Sequence, residues 1–153
     1  MSTFYLCSFE GYPDTLYTHS LRQFYGECDI YGMVDFIFGN AVVVFQNCNI
    51  YARLPIQGQS DTLTAQGRTD PNQNTGTSIQ DCNIEASLEL LLSNFTAEFN
   101  NTGLGSPTIA RVNWPGYHVI NATDATNFTV SNFIRGDYWL PATGVPYQGG
   151  LFI

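Results

Sequence analysis

Asp14 and Asp35 are the two acids whose placement suggests chemistry. They stand 21 residues apart, the same interval that separates Cys7 from Cys28. If those cysteines occupy equivalent places in a repeating unit, the aspartates do too. Side by side, about 5 Å apart, two carboxylates cannot both ionise freely. One keeps its proton while the other is an anion, which supplies a general acid and a nucleophile from one residue type. The bland alternative is two turn aspartates, a common use of this residue. Asp35 lies in Val34-Asp35-Phe36-Ile37-Phe38, where an acid among apolar strand residues needs a reason. Asp14, in Gly11-Tyr12-Pro13-Asp14-Thr15-Leu16, fits a turn more readily.

The element that positions such a pair must repeat every twenty-odd residues. Cys7, Cys28, Cys48 and Cys82 are each followed by a small polar residue and then Phe or Ile, at intervals of 21, 20 and 34. A period near twenty points to a solenoid. Short apolar runs such as Val42-Val43-Val44-Phe45 end in Gly, Asn or Asp, as strands and turns do. The best helical window, Glu85 to Leu92, is short and lacks a clear cap. Several short strands per twenty-residue unit describe an all-β parallel β-helix, each coil one strand spacing above the last. The 34-residue interval then reads as a coil with one long loop, Leu54 to Gly67. The cysteines read as an inward stack with room for one bridge, and their pairing stays open. They form no Cys-x-x-Cys pair and no cluster with His, which argues against zinc.

Composition narrows the function classes. The 153 residues suit one domain, 1–153. Net charge is −8, and the five cations, Arg22, Arg53, Arg68, Arg111 and Arg135, include no Lys. Nucleic acid has no basic footprint to bind. A polyanion would be repelled at long range, which favours a neutralised ligand such as an esterified acid. No apolar stretch approaches a membrane span. Four sequons, at Asn94, Asn100, Asn121 and Asn127, suggest a secreted glycoprotein. Met1-Ser2-Thr3-Phe4 shows no signal peptide, so a secreted chain would be missing its beginning. His19, His118, Trp114 and Trp139 read as structural residues.

Several motifs in order carry a family resemblance. Gly11-Tyr12-Pro13-Asp14-Thr15-Leu16-Tyr17, Gly32-Met33-Val34-Asp35-Phe36-Ile37-Phe38-Gly39-Asn40 and Thr64 to Gly76 resemble the signatures of plant pectin methylesterases (pectinesterases). Arg111-Val112-Asn113-Trp114-Pro115-Gly116-Tyr117-His118 and the tail from Trp139 to Ile153 resemble the end of those enzymes. The resemblance implies a right-handed parallel β-helix of the pectin-lyase type. It implies hydrolysis of galacturonate methyl esters in pectin, in the cell wall, with release of methanol and no cofactor or metal. A proteinaceous pectinesterase inhibitor is an implied partner. By the same resemblance Asp35 is the nucleophile, Asp14 the acid/base, and Phe36 an aromatic lining the sugar groove; Tyr12, from its place beside Asp14, reads either as a substrate contact or as core packing.

The pattern is also broken. Pro13 stands where the family has Gln, an oxyanion donor, and proline supplies neither amide nor N–H. Loss of such a donor typically costs about 10²–10³ in rate. A second oxyanion Gln belongs to a coil before the start of this sequence. A Leu-Gly-Arg-Pro-Trp segment is missing near residues 92–97, so the solenoid reads as incomplete. Arg68 is the nearest substitute for its Arg, though a structural loop ion pair is the plainer expectation. Met33 replaces a small residue and would either crowd the groove or pack inward. The alternatives to an esterase are therefore an inactive pectin-binding module and a non-functional truncated product.

Overall fold

A computed structural model describes residues 1–56, 58–70, 72–87 and 120–151. Strands recur in threes. The first coil holds β1 (Ser2–Tyr5), β2 (Ser8–Glu10) and β3 (Leu16–Thr18). The second holds β4 (Arg22–Gly26), β5 (Asp29–Gly32) and β6 (Val34–Gly39). The third holds β7 (Val42–Gln46), β8 (Asn49–Ala52) and β9 (Thr62–Gln66), and a fourth opens with β10 (Gly76–Gln80) and β11 (Asn83–Ala86). All three sheets are parallel, in the orders β1-β4-β7-β10, β2-β5-β8-β11 and β3-β6-β9. The chain is a parallel β-helix.

Stacking of like residues builds the core. Ser8, Asp29, Asn49 and Asn83 align across the second sheet, so the cysteines that precede them share a column. Before each cysteine, one residue takes the left-handed conformation: Leu6, Glu27, Asn47 and Asp81, with φ of 52°, 50°, 54° and 51°. That single bend carries the chain from the first sheet to the second. Cys28, Cys48 and Cys82 are fully buried, Cys7 partly so, and all four are free thiols. No bridge forms. Instead the thiols donate to nearby carbonyls, Cys28 Sγ to Gly26 at 3.3 Å and Cys48 Sγ to Tyr25 at 3.4 Å. A column of rings, Phe4, Tyr25 and Phe45, runs beside them with centroids 4.8 and 4.7 Å apart. Ile30, Ile50 and Ile84 form the next column.

The long third coil differs from expectation. Thr62–Gln66 is not loop but strand β9, with Leu63 turned into the core. The extra residues leave as two excursions, one between β8 and β9 and one between β9 and β10. Asn40 ties down the second: its Nδ2 donates to Gln73 Oε1 at 2.9 Å, and its Oδ1 accepts from Thr75 Oγ1 at 2.6 Å. Glu85 lies in β11, and residues 88–92 of the helical candidate lie outside the described residues.

Residues 121–151 cover the outward face of the first sheet. Helix α1 (Ala122–Ala125) is capped by Asn121, whose Oδ1 accepts from Asp124 N, and α2 (Val130–Phe133) by Thr129. Val130, Ile134 and Leu140 pack with Phe24 and Val44 into a second buried cluster. Trp139 joins its edge and donates from Nε1 to the Ile134 carbonyl at 3.2 Å, a packing role. Gln46, 2% exposed, clamps the tail: it donates to Gln80 Oε1 and the Gln148 carbonyl, and accepts from Gln148 N at 2.8 Å.

Candidate active site

The third sheet brings the two aspartates together. Leu16, Tyr17 and Thr18 pair with Ile37, Phe38 and Gly39, so Asp14 and Asp35 precede equivalent positions on adjacent coils. Asp14 N donates to the Val34 carbonyl at 3.2 Å, and Met33 N donates to the Tyr12 carbonyl at 3.0 Å. Both aspartates take the left-handed conformation, φ 55° for Asp14 and 49° for Asp35. Few side chains tolerate that region, and Asp is one of them. The conformation costs energy, and it also occurs at the structural bends before the cysteines, so it is the matched placement of the two acids that sets them apart.

A bulge accompanies Asp35. Val34 opposes Thr62 and Ile37 opposes Thr64, so Asp35 and Phe36 together face the single residue Leu63. The extra residue breaks the in–out alternation. Phe36 and Ile37 both point into the core, 0% and 1% exposed, while Asp35 stays half-buried at the surface. Phe36 therefore does not line the groove as the sequence led us to expect; its ring packs in the core against Gly32, where a Cβ would come within 2.2 Å of Phe36 Cβ.

The ring displayed on that strand is Phe38. It stacks on Tyr17 with centroids 4.6 Å apart and planes 5° from parallel, and Ala65 follows it in register. Two flat rings and a small residue make an open floor, three residues along the strands from the aspartates. His19 packs edge-on against Tyr17 at 5.0 Å. The strands approach closely at Gly39, φ 134°, where a Cβ would sit 2.1 Å from the Thr18 carbonyl oxygen.

The other expected residues fall as follows. Tyr12 is 58% exposed beside Asp14, with the Arg53 guanidinium 4.8 Å over its ring. Met33 is 4% exposed and packs inward, leaving the groove uncrowded. Pro13 is exposed. Arg68 is exposed and donates to the Gln73 carbonyl at 3.3 Å, so among the described residues it holds its loop by a hydrogen bond rather than by the expected ion pair. Asn121 and Asn127 lie on the exposed surface, while Asn94, Asn100, Arg111, Trp114, His118 and the 92–97 region lie outside the described residues. No described helix is long and apolar enough to cross a membrane. Phe38 is the residue that sequence reasoning missed. Its signal was the 21-residue interval to Tyr17, equal to that between the aspartates.

A family model described as Pectinesterase matches residues 1–97 and 90–137. A probable pectinesterase/pectinesterase inhibitor 20 of Arabidopsis thaliana is 53% identical over 196 aligned positions, covering 99% of this chain and 35% of that protein. Pectinesterase 2 of Citrus sinensis is 47% identical, covering 99% of this chain and 38% of that protein. The chain thus spans about a third of the length of these curated relatives. The solved pectin methylesterase from carrot superposes with a TM-score of 0.87 at 40% identity, covering 97% of this chain and 61% of the carrot chain. With the aspartate column, the bulge and the aromatic floor in place, the match places the chain in the pectinesterase family.

Proposed function

We propose that this chain hydrolyses methyl esters of galacturonate in pectin, with Asp35 as nucleophile and Asp14 as acid/base. The carrying observation is the pair of aspartates in matched left-handed conformations on adjacent coils, beside the Tyr17–Phe38 floor. Asp35 attacks the ester carbonyl, and Asp14 protonates the departing methoxide oxygen as the C–O bond breaks. Methanol leaves and an acyl-enzyme remains. Asp14, now a carboxylate, takes a proton from water; the hydroxide formed attacks the acyl carbon, frees Asp35 and leaves a galacturonate acid. Tyr12 borders Asp14, and the floor rings stack against sugar faces. The net charge of −8 favours the esterified over the free polymer.

Methanol release from methylated pectin tests this reading. Asp35→Asn should lose at least a hundredfold of the wild-type rate, and identical rates for the two would remove the chain from catalysis. A second reading rests on Pro13, which supplies no oxyanion donor: a pectin-binding module that retains the groove without turnover. Retention on methylated pectin without methanol release would establish it. The two-stretch family match supports an internal loss near residues 92–97. The pectinesterase/pectinesterase inhibitor name of the Arabidopsis relative supports a proteinaceous inhibitor as partner, and exposed Asn121 and Asn127 support a secreted, glycosylated cell-wall protein.

A further inference from the structure

We propose that Arg53 is a positioning residue for Asp14, acting from two coils away by clamping the ring of Tyr12; this rests on the esterase reading above. Arg53 follows β8 in the third coil, where its N–H donates to the Gly32 carbonyl at 2.6 Å. Asp14 belongs to the first coil, about 10 Å below. The arginine side chain spans that distance. Its guanidinium carbon lies 5.5 Å from the centroid of Tyr31 in the second coil and 4.8 Å from that of Tyr12 in the first. One nitrogen stands 3.5 Å from Glu10 Oε2, also in the first coil. One side chain thus ties three coils together at the edge where the candidate acid/base emerges.

The link from Tyr12 to Asp14 is short and stiff. Only Pro13 lies between them. Proline fixes its own φ and confines the residue before it to extended conformations. Thr15 Oγ1 stands 3.1 Å from the Tyr12 carbonyl and 3.0 Å from that of Tyr31, its one proton shared between them, which closes the turn on the second coil. A Tyr12 ring held in place therefore holds the turn, and with it the carboxylate of Asp14. Asp14 itself is exposed and sits in a strained conformation, so it gains little constraint from its own packing. The Arg53 side chain is 18% exposed, well covered for a surface cation, whereas Glu10 is 62% exposed. The rings, more than the carboxylate, shelter it. Arginine suits the task because its plane stacks on tyrosine while its edge still reaches Glu10.

The test measures kcat and KM for methanol release by the full chain in Arg53→Ala, Arg53→Lys, Tyr12→Ala and the Arg53→Ala/Tyr12→Ala double variant. Arg135→Ala is the control: that guanidinium lies 5.3 Å over Tyr138, far along the chain on the C-terminal covering. Arg53→Ala should lower kcat about three- to tenfold with KM within about twofold, because positioning acts on the chemical step. Arg53→Lys should recover less than half of the loss, and the double variant should be no slower than the slower single. Arg135→Ala should match wild type. Circular dichroism at the assay temperature corrects each rate for the folded fraction, so a purely structural role would leave the corrected kcat unmoved. An unchanged kcat in Arg53→Ala, full recovery in Arg53→Lys, or multiplying losses in the double variant would overturn the clamp alone. A wild-type chain that releases no methanol overturns the esterase reading and the clamp with it.

Discussion

Strain at the nucleophile can be weighed by replacing Asp35 with three residues that share one property and differ in another. Asparagine, alanine and glycine all remove the charge, so differences among them report the backbone. Asp35 holds φ at 49°. A side chain with an ordinary Cβ costs roughly 1–2 kcal/mol in that region, asparagine less because its amide hydrogen-bonds locally. Glycine escapes the strain but gives back about 0.5–1 kcal/mol in the entropy of the unfolded chain. Asp35→Ala should therefore be the least stable of the three, by about 1 kcal/mol against Asn and about 0.5–1 kcal/mol against Gly. For a chain of this size each kcal/mol moves the melting temperature by about 2–4 °C. Parallel calorimetric melts should place Asp35→Ala a few degrees below the other two, while all three fail to release methanol. If Asp35→Ala melts at or above both, the left-handed conformation is not a cost carried for function, and the reasoning fails.

Two further outcomes follow from the packing. Phe38→Ala should raise KM for methylated pectin about tenfold while stability changes little, whereas Phe36→Ala should cost about 3–5 kcal/mol in stability as a core deletion; equal effects on KM would refute the assignment of floor and core rings. The buried thiols set an alkaline limit. The neighbouring Cys48 thiol, then burial, pushes the Cys28 thiol far above its ordinary value of 9.0. Cys48 also rises: the neighbouring Cys28 thiol lowers it, but Cys82 and burial outweigh that. Folding thus favours the protonated thiols, an advantage fully present below about pH 9 and lost as pH climbs toward the folded values. Stability should fall above pH 9 by up to about 1.4 kcal/mol per pH unit for each thiol. Melts between pH 7 and 10.5 check this, with a shallower slope in Cys28→Ala; a flat profile would refute it.

The coil was legible because one inward cysteine follows one left-handed bend in each of the four described turns, so spacing in sequence became stacking in space. The aspartate column followed from the same arithmetic. Spacing counts residues without saying where an excursion leaves the coil, which is why Thr62–Gln66 read as loop: its threonines, alanine and glutamine carry little apolar signal. The floor was hidden by the bulge. A strict alternation from Asp35 sends Phe38 inward, and only the two-against-one pairing with Leu63 turns that ring out and keeps both Phe36 and Ile37 in. The C-terminal covering left a faint trace as well. Its helices are four residues each, too short to show a period, and their caps Asn121 and Thr129 look like any other Asn or Thr in a sequence rich in both.

The Gln46 clamp joins residues 102 positions apart. The strands of the first three coils all precede Gln148 in the chain, so the clamp's partner is the last part of it to be made. Phe24 and Val44, on the outward face of the first sheet, are covered by Val130, Ile134 and Leu140, which also come later in the chain. Closing so long a segment is an entropic cost met late, once the coils already hold Gln46 and Gln80 in line. The clamp thus predicts an order of folding, coils first and covering last, which pulse-labelled hydrogen exchange during refolding would check.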